Sequence, residues 1–219
     1  GDVYKRQTIN DDMLEDGKAE VVESMPFNVT DEFINLQEDS KEYIKMILKI
    51  DESIARCFFV KKVLVVEGDT EQVVLTETIN RMPYDLKNQI LSDWHIVRAR
   101  GKAVIIPLVK YLKAMAIDVY VIHDGDFETD GAERFNEPIR NALNDDDKLV
   151  VLQNCIEDVL GYSAPKSNKP FVAYKYIQDN WTDWNSIPEL WRKSVEKIFI
   201  EGKTILYKTN TCLLYTSPS

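Results

Sequence analysis

The stretch VLVVEGDTE, from Val63 to Glu71, runs four apolar residues, three of them β-branched, into an acidic turn at Glu67 and Gly68. A helical pattern takes over at Glu71, so the stretch reads as a buried strand whose carboxyl end presents acids. A second stretch answers it: VYVIHDGD, from Val119 to Asp126, is another apolar run closing on Asp124 and Asp126. Residues two apart at a strand end can point the same way. Two neighbouring parallel strands would therefore bring Glu67, Glu71, Asp124 and Asp126 to one carboxyl edge. Clustered carboxylates repel unless a cation sits among them.

Composition narrows the choice of cation. Cys57, Cys155 and Cys212 lie far apart with no C-x-x-C pair, and His95 and His123 are the only imidazoles. Neither a zinc site nor a disulfide framework is indicated, and a reducing cytosol fits. Hard, oxygen-liking cations are the natural partners of this donor set. The formal charge of -10 would repel a polyanion, so DNA binding would have to rest on metal ions, a local basic patch or further chain. With 44% apolar and 29% charged residues the chain is ordinary for a soluble globular protein, and no run nears the ~18 apolar residues of a membrane helix. No secretory signal is visible, so a cytoplasmic protein with no membrane partner is expected.

Around the two acidic strands, secondary structure alternates. Leu75, Ile79 and Met82 form one helical face that Pro83 stops, and Trp94 to Ala99 reads as a strand. Gly101 and Lys102 open a helix carrying Val104, Ile105, Leu108, Val109, Leu112 and Met115, in which Pro107 is tolerable only near the start. That turn suits either a phosphate contact at a helix N-terminus or an ordinary bend with a solvated lysine. A strand over 118–123 precedes a turn at Asp130 and Gly131, a helix over 132–143, the solvated loop Asp145 to Asp147 and a fourth strand over 148–153. Helices over 171–179 and 188–200 follow, with Trp181, Trp184 and Trp191 as packing anchors rather than base-stacking platforms. Upstream, Ser40 caps a helix carrying Tyr43, Ile44, Ile47 and Leu48, and a shorter helix spans about 51–58.

Four strands alternating with helices specify an α/β fold: a Rossmann-like, mainly parallel four-stranded sheet flanked by helices, with helical segments at both ends. The chain divides into an N-terminal segment over 1–57, a catalytic domain over 58–165 and a C-terminal helical extension over 166–219. The end stretches GDVYKRQ and CLLYTSPS resemble translated sequencing-adapter sequence and are set aside, so the natural polypeptide is expected to continue beyond both. No G-x-G-x-x-G or G-x-x-x-x-G-K-[ST] occurs, which removes dinucleotide and P-loop ATP binding from this stretch. An EF-hand over DGDFETDG fails because Thr129 and Phe135 stand where that loop needs Gly and Glu.

The E-G-x-T-E strand end, followed further on by a strand ending in D-G-D, resembles the Toprim domain, in the nuclease form of the OLD (overcoming lysogenization defect) family. The likeness extends to IDESIARCFFVKKV upstream and NCIEDVLGY downstream, over roughly residues 50 to 180. It implies a metal-dependent DNA endonuclease holding two Mg2+ or Mn2+ ions, with Glu67 and Glu71 mainly at one ion and Asp124 and Asp126 at the other. It also implies a further acid after the fourth strand, matched by Glu157 with Asp158 as fallback, and a late catalytic lysine, matched by Lys169. In that family an ATPase domain precedes the Toprim domain, so ATP use and homo-oligomer formation would belong to a part absent from this sequence.

Each residue also has a plainer role. Glu71 and Glu157 suit the dipole at a helix start, and Lys169 suits a solvated surface. Three rival functions remain: a Toprim topoisomerase or primase, which Glu71 disfavours; a D-x-D phosphohydrolase with Asp124 as nucleophile, in which Glu128 stands where Thr or Val is usual; and a degenerate, non-enzymatic Toprim.

Overall fold

The computed structural model of the protein describes residues 3–8, 23–28, 54, 56–127 and 131–201. Its main sheet has β3 (Lys62–Val66) at the centre, paired in parallel with β4 (Trp94–Arg98) on one side and β5 (Asp118–Asp124) on the other. β6 (Leu149–Leu152) adds in parallel to β5, giving the order β4-β3-β5-β6. Parallel neighbours need crossovers. These are α1 (Asp69–Asn80) with α2 (Tyr84–Asp93), then α3 (Lys102–Ala114), then α4 (Asn136–Leu143). After β6 come α5 (Ile156–Leu160), α6 (Lys169–Asn180) and α7 (Glu189–Ile200). Separately, β1 (Val3–Thr8) pairs antiparallel with β2 (Glu23–Asn28); the sequence does not announce this pair, and most of the first adapter-like stretch lies in β1.

The period-2 alternation of a strand sorts side chains to opposite faces, and here both faces are dry. Leu64, Val66, Tyr120 and Ile122 pack with Val74 and Leu75 of α1, Ile177 of α6 and Trp191 of α7. Val63, Val65, Val119 and Val121 pack with Ile105, Leu108 and Leu112 of α3 and Ile139 of α4. Val63 to Val66 are therefore all fully buried, which explains the unbroken apolar run in the sequence. The tryptophans are anchors as expected: Trp181, Trp184 and Trp191 are buried, and the Trp191 indole N–H donates to Thr78 Oγ1 at 2.7 Å.

Several boundaries differ from the sequence reading. Pro83 does not simply stop a helix; it also starts α2, whose stripe is only Leu86 and Ile90, with Leu91 exposed. Pro107 sits inside α3 at its sixth residue rather than near its start. The missing proline N–H there deprives only the carbonyl of Ala103, an exposed residue, of its helical donor. The helix over 132–143 is a 3-10 turn (Glu133–Phe135) followed by α4. The helix expected from Ser40 lies outside the described residues, as does Asp130 of the expected turn. Of the shorter helix near 51–58, only residue 54 and those from 56 onward are described, leading into a 3-10 turn at Cys57–Phe59. No helix among the described residues is long and apolar enough to cross a membrane.

Candidate metal centre

Register places the acids. Val66 pairs with Ile122, so Glu67 and Asp124 leave adjacent strands at the same carboxyl edge. Glu71 follows one turn later, in the first turn of α1, and its Oε2 accepts the Gly68 N–H at 3.0 Å. That capping bond holds a carboxylate that is only 5% exposed. Its dipole-favoured position and its place in the acid cluster coincide, so the plainer role does not displace the functional one.

The D-G-D turn is tightly constructed. A Cβ on Gly125 would lie 2.4 Å from the Leu152 carbonyl oxygen, so the close approach of this turn to β6 admits only glycine. Asn136 Nδ2 donates to the Gly125 carbonyl at 2.8 Å, and the Asp126 N–H donates to Asn154 O at 3.0 Å. Asp126 takes a left-handed backbone with φ 53°, a strained conformation that persists because these contacts fix it. Glu157, in the first turn of α5, is 1% exposed, and Lys169 Nζ lies 3.6 Å from its Oε1. The fallback Asp158 instead accepts from Asn154 Nδ2 at 2.9 Å, on an exposed side.

Electrostatics shows that these groups feel one another. Burial first, then the charges of Glu71, Glu67, Asp126 and Glu157, push the Asp124 carboxyl up to about 8. Glu67 is pushed up to about 7 by burial and by Glu71 and Asp126, against the pull of Lys102 and Lys169. Glu71 is raised by burial, opposed by the backbone N–H groups that bond it, with Glu157 adding to the rise. The five predicted acids therefore form one coupled set with Lys169 at its side.

Three buried oxygens of the set, Glu67 Oε2, Asp124 Oδ1 and Glu157 Oε1, have no hydrogen-bond partner. An oxygen-only donor set with orphaned, desolvated carboxylates fits a hard divalent cation. As placed, no three His, Cys, Asp or Glu side chains among the described residues make a ready coordination sphere, so ion binding requires the side chains to draw inward.

Sequence reasoning missed three participants. Lys102 is not solvated: it is 6% exposed and its Nζ donates to Asp126 Oδ2 at 2.9 Å and to the Gly125 carbonyl at 3.3 Å. His123 is fully buried, its Nδ1 lies 2.7 Å from Asp124 O, and burial pulls its pKa down to about 4, so it stays neutral. Asn136 secures the turn through Gly125. Only Lys102 left a trace in the sequence, a lone lysine directly after a turn glycine.

Comparison with known proteins bears on this geometry. Residues 58–126 match the family described as Overcoming lysogenization defect protein-like, TOPRIM domain. That stretch is similar to an OLD-like Toprim domain. The matched stretch includes Glu67, Glu71, Lys102, Asp124 and Asp126, whereas Glu157 and Lys169 lie beyond it. Solved structures similar to this chain include two C-terminal regions of OLD proteins. The C-terminal region of the Xanthomonas campestris pv. campestris OLD protein shares 14% identity at a TM-score of 0.43, over 65% of this chain and 95% of that one. The C-terminal region of the Burkholderia pseudomallei OLD protein shares 14% identity at a TM-score of 0.39, over 64% of this chain and 98% of that one. No curated protein sequence matches. The likeness to an OLD-like Toprim domain directs the functional reading to Toprim-type, nuclease-related chemistry.

Proposed function

We propose that this chain is the catalytic domain of a metal-dependent DNA endonuclease that hydrolyses phosphodiester bonds with two divalent ions, Mg2+ or Mn2+. The observation that carries this reading is the placement of Glu67 and Asp124 side by side at the ends of β3 and β5. Both are partly buried, both are raised in pKa, and each has a buried oxygen without a partner. Bound divalent ions would supply an activated water and charge stabilisation at the phosphate and the leaving oxygen.

The chain's own residues do the rest. Glu67, Glu71, Asp124 and Asp126 hold the ions, and Glu157 adds charge from the first turn of α5. Lys169, half exposed at the rim, keeps its ammonium beside Glu157, where it can meet the charge of an incoming phosphate. DNA, a polyanion facing an acidic chain, is then recruited through the ions and this lysine rather than through net charge.

The chief rival is the D-x-D phosphohydrolase, which needs Asp124 as an ionised nucleophile and has no use for Glu71. Burial and four neighbouring acids disfavour the ionised form of Asp124, which suits a ligand awaiting a cation better than a free nucleophile. Supercoiled plasmid and a small phosphate monoester, offered side by side in Mn2+, separate the two. The nuclease reading expects plasmid nicking and no monoester turnover. Monoester turnover that survives Glu71→Gln, with phosphate trapped on Asp124, would establish the rival.

A further inference from the structure

A buried lysine needs a reason, because its ammonium must be paired to stay charged out of water. Lys102 sits at the first position of α3, directly after Gly101, whose φ of 131° lies where residues with a Cβ are strained. The Gly101 N–H donates to the Glu67 carbonyl at 3.1 Å, so this turn is fastened to the backbone of the first acid. From there Lys102 Nζ reaches across to the second acidic strand, bonding both Asp126 Oδ2 at 2.9 Å and Gly125 O at 3.3 Å. Two adjacent residues of the β4–α3 turn thus hold the ends of β3 and β5 at once.

We propose that Lys102 is a positioning residue of the metal centre, clamping the D-G-D turn so that the Asp126 carboxylate faces the other acids. The inference rests on the metal-site reading and deepens it. One ammonium bonded to both the side chain and the adjoining carbonyl fixes Asp126 in its left-handed conformation. Charge alone does not require that geometry, since a cation anywhere nearby would offset the acids. The role is positional, acting through Asp126, and Lys102 touches no substrate.

The two roles predict opposite signs for metal binding. If Lys102 only neutralised the acids, removing it would strengthen their hold on a cation. If it positions Asp126, removing it weakens that hold by about tenfold, as loss of an orienting partner of a metal ligand commonly does. The experiment is a calorimetric titration of Mn2+ into the full chain and into Lys102→Met, with circular dichroism to confirm folding. Weaker binding in the variant is expected, and in an Asp126→Asn background Lys102→Met should add no further loss.

Lys102→Arg is read in the same way and serves if the methionine variant fails to fold. It keeps the charge, but the larger planar guanidinium does not fit the buried place of the ammonium between Asp126 Oδ2 and Gly125 O, so several-fold weaker binding is expected. Unchanged or tighter Mn2+ binding in either folded variant overturns the positioning role and leaves the metal site standing. A wild-type chain that binds no Mn2+ overturns both. Metal binding without DNA cleavage overturns the nuclease proposal alone.

Discussion

The Gly68 amide donates to Glu71 Oε2 at 3.0 Å, so the carboxylate that begins α1 is fixed by the helix it belongs to before any ion arrives. A glutamine at this position can accept the same bond through its carbonyl oxygen while lacking the charge. Glu71→Gln is therefore expected to leave the unfolding midpoint of the metal-free chain unchanged or raised, since burying a neutral amide costs less than burying a carboxylate. Turnover on plasmid should fall at least ~100-fold, the equivalent of about 3 kcal/mol of transition-state stabilisation. Nicking at the wild-type rate in a folded variant would remove Glu71 from the site.

The raised carboxyls make stability depend on pH in a definite direction. A carboxyl in the unfolded chain ionises near about 4, whereas in the fold Asp124 keeps its proton up to about 8 and Glu67 up to about 7. Folded pKa values above unfolded ones mean that ionisation favours the unfolded chain. The metal-free protein should lose stability as pH rises from roughly 4 to roughly 8, and below that window these groups contribute no difference. Millimolar Mg2+ should restore most of the loss, so its stabilising effect grows with pH. Thermal melts across this range, with and without Mg2+, check the slope; a Mg2+ effect larger at the acidic end would contradict it.

Gly125→Ala places a Cβ 2.4 Å from the Leu152 carbonyl oxygen, a backbone atom of β6 that cannot swing aside. Overpacking of this kind costs about 1–3 kcal/mol, so a clear loss in the urea midpoint is expected. Because Asp126 is tied to the same turn, Mn2+ binding should weaken as well. Wild-type stability in the variant would show that the turn can move away from β6.

Trp191→Phe tests the packing role of the late tryptophans. It removes the bond from the indole to Thr78 Oγ1, while the Thr78 hydroxyl still donates to the Val74 carbonyl at 2.7 Å. A loss of about 1–2 kcal/mol is expected, with no change in Mn2+ binding or plasmid nicking. A selective loss of DNA binding with unchanged stability would instead favour a base-stacking role.

Much of the sheet and its acidic edge was legible in the sequence because buried parallel strands are written as unbroken apolar runs. Val63 to Val66 and Val119 to Ile122 each end at acids, and their adjacency follows from parallel pairing across a crossover. α2 was not legible, since two buried residues in ten make too thin a stripe to stand out beside Pro83. Lys102 was misread because a lysine after a turn glycine looks the same whether it points to water or inward. Only the spatial return of Asp126 to the N-terminus of α3 reveals its burial. Glu157 and Lys169 were placed by resemblance alone, and their proximity at 3.6 Å is visible only in the folded chain. His123 could be recognised as strand, but nothing in its neighbours foretold that it would be neutral and face the Asp124 carbonyl.

The most direct test is the thermal midpoint of the wild-type chain and of Asp124→Ala near pH 8, each titrated with Mn2+. A ligand that binds only the folded state at a hundred times its dissociation constant adds about 2.7 kcal/mol, a plain upward shift. The wild type is expected to show that shift. Asp124→Ala should start at an equal or higher midpoint, relieved of a partly buried carboxylate among other acids, and should respond weakly or not at all to Mn2+. A wild-type chain indifferent to millimolar Mn2+, or an Asp124→Ala chain stabilised as strongly as the wild type, would contradict the metal centre at the ends of β3 and β5.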